Sequence, residues 1–530
     1  MKKFKKITWG LILVIPMLIT VTGCKKFLDR KPLSATLDDL TQGTLEAQSL
    51  GMYNTLRSYA GFSTLPWLDF NSIRDDDAQK GSSTTDGAEI NAEFETFQYT
   101  KDDWATNTYW NDHYYMIGLA NKLIYYADSL KLTDEASLRN VGEAHFFRAY
   151  SYFELAKAYG EVPKIDFYFT KAADGIKPKA PIDSIYALID RDLTDATQHL
   201  PLTWAVAGVN GYPGRLTKGA AYTLWAQTHM YRAGVAGIGI GTPSQHYQKA
   251  LDFCNAVINS GQYSLVSKFP DLWKDGIDGK GKNSSESIFE MQANIGKDGT
   301  NNNGTAWGTS QNVRQGGATN DWNLGWGWNT PTQKLVDEWD NSDPRKTYTI
   351  LYSGKYDGGV DSGGYGATLP PYNPGTSLDQ PYWNKKVYSD PEMRKFTGQI
   401  GPSGGADWLN HRIFRYADVI LMKAEAANEL GDGATAETML EMVRARARGN
   451  NASILPHISF SSQSQMRTAI KNERRWEFAM EGYRFHDLVR WGDAIGVLGG
   501  LGYTNRCRYY PIPQKAIDLS GNVLKQNPEW

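Results

Sequence analysis

The order of apolar and polar positions along this chain is helical for much of its length. Between Thr133 and Tyr159, Phe146, Ala149, Tyr150 and Phe153 fall at i, i+3, i+4 and i+7, which predicts one long amphipathic helix with Thr133 as its cap and Gly160 and Pro163 as its stop. Similar stripes run over 185–200, 220–233 and 247–258, the second closed by Gly234 and the third by Gly261. Towards the C-terminus, Ile413, Ala417, Ile420, Leu421 and Ala424 predict a helix ended by Gly431, and Ala436, Met439, Leu440, Val443 and Ala447 predict its partner.

These helices come in pairs with small residues at the contact positions and a glycine-containing turn between them, the grammar of degenerate tetratricopeptide repeats. Generic helix hairpins would share much of that pattern, because the full repeat consensus is missing. The fold expected is mainly α, a superhelix of helix pairs with an inserted loop-rich region and a few short strands. At 530 residues the chain exceeds ordinary single-domain size, and it divides into an N-terminal helical region, 24–270, and a C-terminal region, 271–530.

Two segments leave the helical pattern. Residues 301–330 hold Trp307, Trp322, Trp326 and Trp328 among seven Asn and six Gly, with Arg314 and Asp321 as the charges. Residues 353–384 carry Tyr356, Tyr365, Tyr372, Tyr382 and Trp383 among seven Gly. Long aperiodic loops inside a compact protein are commonly functional, and this aromatic content argues against disorder. The chain as a whole has 17 Trp and 30 Tyr, more than a core requires, so some rings are expected to face a ligand.

The N-terminus reads as a secretory signal over 1–23: Lys2, Lys3, Lys5 and Lys6, then an apolar run from Ile7 to Val21, too short to span a bilayer as a helix. It ends in Val21-Thr22-Gly23-Cys24, a lipobox-like sequence that makes Cys24 the expected acylation site and new N-terminus; ordinary cleavage with an incidental thiol is the alternative. Removal of the four lysines takes the formal charge from -2 to -6, with both signs dispersed, which argues against nucleic acid. Cys254 and Cys507 alone remain, too few for a disulfide framework in an exported chain.

Catalytic and cofactor motifs are missing or imperfect. Gly276 to Asn283 fits a phosphate loop except that Asn283 stands where Ser or Thr must meet magnesium, and Gly237, Gly239 and Gly241 miss the dinucleotide spacing. The eight His show no zinc spacing. Asp75, Asp76 and Asp77 offer carboxylates to calcium but lack EF-hand spacing and read better as a solvated acidic turn; no other cofactor is expected. Near the end, Glu473, Arg474, Arg475, Glu477, Glu481, Arg484, Asp487 and Arg490 interleave with Trp476, Phe478 and Trp491. Glu473 and Glu477 share the face of Met466, Ile470 and Met480, so they should be partly buried and need cations, as in a salt-bridge network joining two helices.

That stretch, NERRWEFAMEGYRFHDLVRWG from Asn472 to Gly492, resembles the C-terminal signature of the SusD/RagB family. CKKFLDRKP after the lipobox, GEAHFFRAYSYFELAKAYGEVP from Gly142, RYADVILMKAEAANELGD from Arg415 and YPIPQKAIDLSGNVLKQNPEW at the end follow in family order. His486, Met480 and Trp530 depart from the usual residues at their positions. The resemblance implies a tetratricopeptide-like body, a place on the outer face of the outer membrane held by a lipid, a glycan ligand (peptide in the RagB branch), a SusC-like TonB-dependent transporter as partner, and no catalysis. An anchored glycoside hydrolase is the rival enzyme reading. The signature residues are scaffold in that family and its ligand contacts vary, so the site is argued from chemistry. Sugars present flat C–H faces and hydroxyls, and call for exposed rings flanked by polar side chains. The candidates are Trp307, Trp322, Trp326 and Trp328 with Arg314, Asn320 and Asp321, followed by Trp67, Asp69, Asn71, Arg74, Trp104 and Asn107. Trp110, at helical spacing with Tyr114, Ile117 and Ile124, reads as core.

Overall fold

The computed structural model describes residues 44–57, 64–83, 85–87, 92–204, 213–235, 237–276, 281–295, 302–315, 322–376, 378–397 and 407–530. The signal segment, Cys24, Asn320 and Asp321 lie outside these residues. The fold is mainly α, as expected. Its longer helices are α1 (Thr44–Arg57), α2 (Trp104–Ser129), α3 (Glu135–Tyr159), α4 (Ile182–His199), α5 (Lys218–Gly234), α6 (Pro243–Asn259), α7 (Tyr416–Glu429), α8 (Gly433–Arg448) and α9 (Gln463–Glu477). Helices α2 and α3, α3 and α4, α5 and α6, and α7 and α8 pack as successive antiparallel neighbours, and α6 lies against α7, joining the N-terminal pairs to the C-terminal ones. Among the described residues no helix is long and apolar enough to cross a membrane.

Helix α3 is the axis of the N-terminal half. Its cap is Asp134, whose carboxylate accepts from the Ser137 N–H at 2.9 Å, rather than Thr133. From Asn140 nearly every residue to Tyr159 is buried, the polar ones included, so the helix is enclosed on all sides. Each enclosed charge has its counter-charge: Glu143 takes Arg215 at 2.6 Å and the Tyr53 hydroxyl at 2.8 Å, Arg148 holds Asp192 at 2.6 Å, and Glu154 meets Lys157 at 2.8 Å and the Tyr109 hydroxyl at 2.7 Å. Helix α6 starts with a capping box in which Thr242 and Gln245 bond each other's backbone N–H.

Among the described residues four two-stranded antiparallel ladders interrupt the helices: β1 (Ala78–Gly81) with β5 (Trp328–Pro331), β2 (Ser287–Met291) with β8 (His411–Arg415), β3 (Asn294–Ile295) with β4 (Asn302–Asn303), and β6 (Ile350–Tyr352) with β7 (Tyr382–Asn384). Ile413 therefore belongs to a strand and not to the helical stripe that begins at Tyr416. Strand β8 is buried along its length, and its apolar residues satisfy either period.

The C-terminal charges form a network wider than one helix pair. Arg345, from the short helix Pro344–Thr349, donates to Glu473 at 2.6 Å and Glu477 at 3.1 Å. Glu477 also accepts from Arg415 of β8 at 3.1 Å and Arg446 of α8 at 2.5 Å, while Arg444 takes Glu473 at 2.8 Å. Arg415 reaches Glu286 at 2.6 Å and Glu481 at 2.7 Å, and Lys386 meets Glu481 at 2.6 Å. Burial works to raise the Glu477 pKa, but Arg446, Arg415 and Arg345 outweigh it and hold the carboxyl far below its ordinary range. The turn at Asp75 to Asp77 is not solvated: all three residues are buried, Arg475 clasps Asp77 at 2.5 Å, Arg484 and Lys334 hold Asp76 at 2.8 and 2.9 Å, and Asp75 accepts the N–H groups of Asp77 and Ala78. The cations facing Asp76 and Asp77 are the protein's own. Burial opposes the ionised form of Asp76, yet its three cationic partners win and bring its pKa down to about 2 from 3.8.

Two outcomes follow from this pairing. Glu477→Gln should cost about 3–5 kcal/mol in urea unfolding at pH 7, since it strands buried guanidinium groups. A carboxyl depressed in the folded state contributes its stability above the unfolded value and loses it as pH falls through the folded one. For Asp76 that window runs from about pH 4 down to about pH 2, and the thermal midpoint should decline across it, less so in Asp76→Asn.

Candidate functional site

The expected ligand-facing residues divide sharply by burial. Trp307, Trp328 and Trp67 are 5 %, 4 % and 8 % exposed and offer no open face. Trp307, in the short helix Ala306–Gln311, stacks on His411 with centroids 3.7 Å apart, and Trp67 meets both rings edge-on at 5.4 and 4.6 Å. Gly482 admits this packing, because a Cβ there would sit 2.2 Å from the Trp67 ring. Asp69 and Asn71 share the buried short helix Leu65–Asn71 with Trp67. Arg74 is enclosed too, its guanidinium 3.9 and 4.0 Å from the Phe485 and Tyr510 ring centres and donating to the Cys507 carbonyl at 2.6 Å. Trp104 and Asn107 lie in the first turn of α2, half-buried, not outside the helices as expected; the Asn107 amide donates to the Asp103 carbonyl at 3.0 Å. The reading of Trp67, Asp69, Asn71, Arg74, Trp307 and Trp328 as surface contacts is corrected on this ground: each packs between elements distant in sequence, which local composition does not display. Trp110 is core, as expected.

Trp322, Trp326 and Arg314 remain at the surface, half-buried. Trp326 leans over Trp328, centroids 5.0 Å apart and planes at 55°, so buried rings act as its pedestal. Arg314 bonds Asp86 across 228 residues of chain and lies 3.4 Å from the Ser82 hydroxyl and 3.5 Å from the Trp326 carbonyl. Gln380 donates to the Ser82 carbonyl at 3.2 Å and accepts from Gln79 at 3.4 Å. The β1–β5 ladder sets Gly81 opposite Trp328, and Gly87 (φ 77°) lies so close to the Trp328 ring that a Cβ would come within 2.3 Å. Gln315 donates to the carbonyls of Pro370 and Pro371 at 2.8 and 3.0 Å, tying the second loop to the first. On that second loop Tyr356 and Tyr372 are 59 % and 44 % exposed, whereas Trp383 is fully buried.

The junction thus joins a half-buried indole to a paired guanidinium and carboxylate, a hydroxyl and two amides. Planar apolar contact beside fixed donors and acceptors is suited to holding a ligand. Ser82, Asp86, Gln79 and Gln380 carried no signal in the sequence, since they reach the site through pairings more than 200 residues apart. Tyr356 and Tyr372 did carry one, in the aromatic content of 353–384.

A helix-pair body carrying such a loop surface has the form of a ligand-binding protein. Residues 285–506 match the family model described as SusD family, and residues 26–230 match that described as starch-binding associating with outer membrane. SusD-like protein P2 of Formosa agariphila is 27% identical over the whole of both chains. Among solved structures, surface glycan-binding protein A from Bacteroides fluxus superposes with TM-score 0.72 at 24% identity, covering 92% of this chain and 100% of the other. Its counterpart from Bacteroides thetaiotaomicron, in complex with laminarihexaose, gives TM-score 0.70 at 22% identity, covering 92% and 99%. The chain belongs to the SusD-like family. Its signature stretch from Asn472 forms the buried charge network, in agreement with a scaffold role.

The burial difference has a measurable consequence. Trp307→Ala should lower the unfolding free energy by about 3–5 kcal/mol, as for a large ring removed from a core. Trp326→Ala should cost less than about 1.5 kcal/mol in the same denaturant titration.

Proposed function

We propose that this chain is a lipid-anchored receptor on the outer face of the outer membrane, which captures oligosaccharide or polysaccharide on the loop junction and passes it to a SusC-like TonB-dependent barrel. The observation that carries the reading is the half-buried Trp326 indole beside the Arg314–Asp86 pair: an indole covers the C–H face of a pyranose while the pair and its neighbouring hydroxyl and amides serve the ring hydroxyls. Support for a glycan comes from relatives named as a laminarin binding SusD-like protein and as a surface glycan-binding protein in complex with laminarihexaose. Support for the location comes from the outer-membrane association in the description of the family matched by 26–230, and from the lipobox ending in Cys24. An anchored binder moves nothing across a membrane by itself, so a transporter has to receive the ligand.

Titration of the purified protein with laminarihexaose, soluble starch and mixed oligopeptides tests the ligand class. Saturable sugar binding is expected, weakened in Trp326→Ala by about 1–3 kcal/mol; peptide binding in its place would move the assignment to the RagB-like branch. Cys24→Ala should shift the protein from the membrane to the soluble fraction. A large TonB-dependent barrel should copurify in mild detergent across an interface of about 2,000 Å² or more, and solitary purification would refute the transfer step.

A further inference from the structure

A second ligand-sized cleft lies in the N-terminal half, lined by residues none of which belongs to the loop junction. It has a volume of about 390 Å³ and opens between α2, α3 and α4, with Asp166 from the segment that follows α3 on its rim. Its floor is apolar, formed by Ile124, Ala127, Leu132 and Val141. Its upper wall carries charges already arranged in pairs: Arg191 lies 3.3 Å from Asp166, and His145 lies 2.9 Å from Asp192 and 3.8 Å from Asp195. Arg191 has 53% of its side chain exposed and Asp195 37%, so both can turn to a ligand.

Exposed aromatic rings stand next in sequence to lining residues of this cleft, on the same two segments. Tyr125 stands between the lining residues Ile124 and Ala127, and Phe167 follows Asp166. Tyr168 lies 5.2 Å from Tyr125 and 6.0 Å from Tyr126, and Phe167 lies 6.0 Å from Phe169. Tyr125, Phe167 and Phe169 are 48%, 38% and 36% exposed, a concentration of open rings unusual for a surface that nothing covers.

His145, Asp192 and Asp195 have the ligand types of a metal site. Arg148 argues against one: its guanidinium grips both carboxylate oxygens of Asp192 at 2.6 and 2.7 Å and comes within 3.4 Å of the His145 Nδ1, so a cation already stands where a metal would. An anionic ligand is disfavoured as well, because Asp128, Asp166 and Asp195 face the space against Arg148 and Arg191. Burial holds His199, on the same wall, below its ordinary pKa, so its ring is neutral at pH 7. What fits is an uncharged molecule with a flat apolar face and vicinal hydroxyls, each pair of hydroxyls donating to a carboxylate and accepting from the neighbouring guanidinium or imidazole. The volume lies within the range of small-molecule sites, roughly 300–1,000 Å³.

We propose that this cleft is a second glycan site, binding a neutral oligosaccharide with its sugar faces on the Tyr125 and Tyr168 rings and its hydroxyls on Arg191, Asp166 and Asp195. The site goes beyond the loop-junction reading and does not depend on it. Two sites on one anchored chain would hold a polymer at two points, so the effective concentration of the second segment stays high after the first binds.

The test uses the mature chain, 24–530, in detergent, titrated calorimetrically with laminarihexaose, maltohexaose and a tetra-alanine peptide. Trp326→Ala weakens the loop junction, and in that variant a second, saturable component of hexasaccharide binding should persist with its affinity unchanged. Adding Tyr125→Ala or Arg191→Ala should weaken the remaining binding about tenfold or more with the melting temperature unchanged, both side chains being exposed. In the wild-type background the same two substitutions should leave the loop-junction component intact, so the two sites fail separately. Loss of all sugar binding in Trp326→Ala, residual binding indifferent to Tyr125 and Arg191, or peptide binding in place of sugar would each overturn the proposal.

Discussion

The fold depends on buried guanidinium groups answering buried carboxylates. Arg345, Lys386, Arg415, Arg444 and Arg446 face Glu286, Asp343, Glu473, Glu477 and Glu481 in a region closed to solvent, and these residues come from the loop-rich insertion, strand β8 and helices α8 and α9. Each ion alone would be costly to desolvate, and a guanidinium offers five donors in a fixed fork, so a few arginines can satisfy several carboxylates at defined angles. Apolar packing would tolerate a range of docking positions for the insertion. The network accepts essentially one, because a shift of an ångström would leave a buried charge unmet.

A second set of pairs carries this constraint to the proposed ligand surface. Asp76 and Asp77 are clasped by Arg484, Arg475 and Lys334, and strand β1 leaves the turn they form. Strand β1 pairs with β5, which begins at Trp328, the ring on which Trp326 rests. From the end of α9 to the Trp326 indole the chain of contact is therefore short and mostly buried. Loops of this length would otherwise lose much entropy on binding, and a surface fixed beforehand keeps more of the contact energy for the ligand.

The sequence displayed what is periodic or locally dense. The paired helices, the glycines that end them, the burial of Glu473 and Glu477 and the core position of Trp110 all follow from spacing. The cap at Asp134 in place of Thr133, and Ile413 in a strand instead of a helix, are errors of boundary and period where a buried segment fits both templates. The larger errors concern exposure. The four tryptophans of 301–330 look alike in composition, yet Trp307 and Trp328 lie under the surface and Trp326 on it, because partners such as His411 and Gly87 come from far along the chain. The acidic turn at Asp75 misled for the same reason: its arginines lie some 400 residues away.

These buried rings also explain why the chain carries so many aromatics without an equally large open surface. A tryptophan held by stacking and edge contacts resists deformation more than an aliphatic side chain of the same burial, since its plane and its neighbours' planes must move together. Trp67, His411 and Trp307 interlock in this way at the start of β8, and Trp328 beside Trp326 continues the arrangement. The aromatic excess is then in large part support, placed to hold a few open faces at fixed angles. That division leaves the outermost rings and their polar neighbours free to change while the charged network beneath keeps the loops in place.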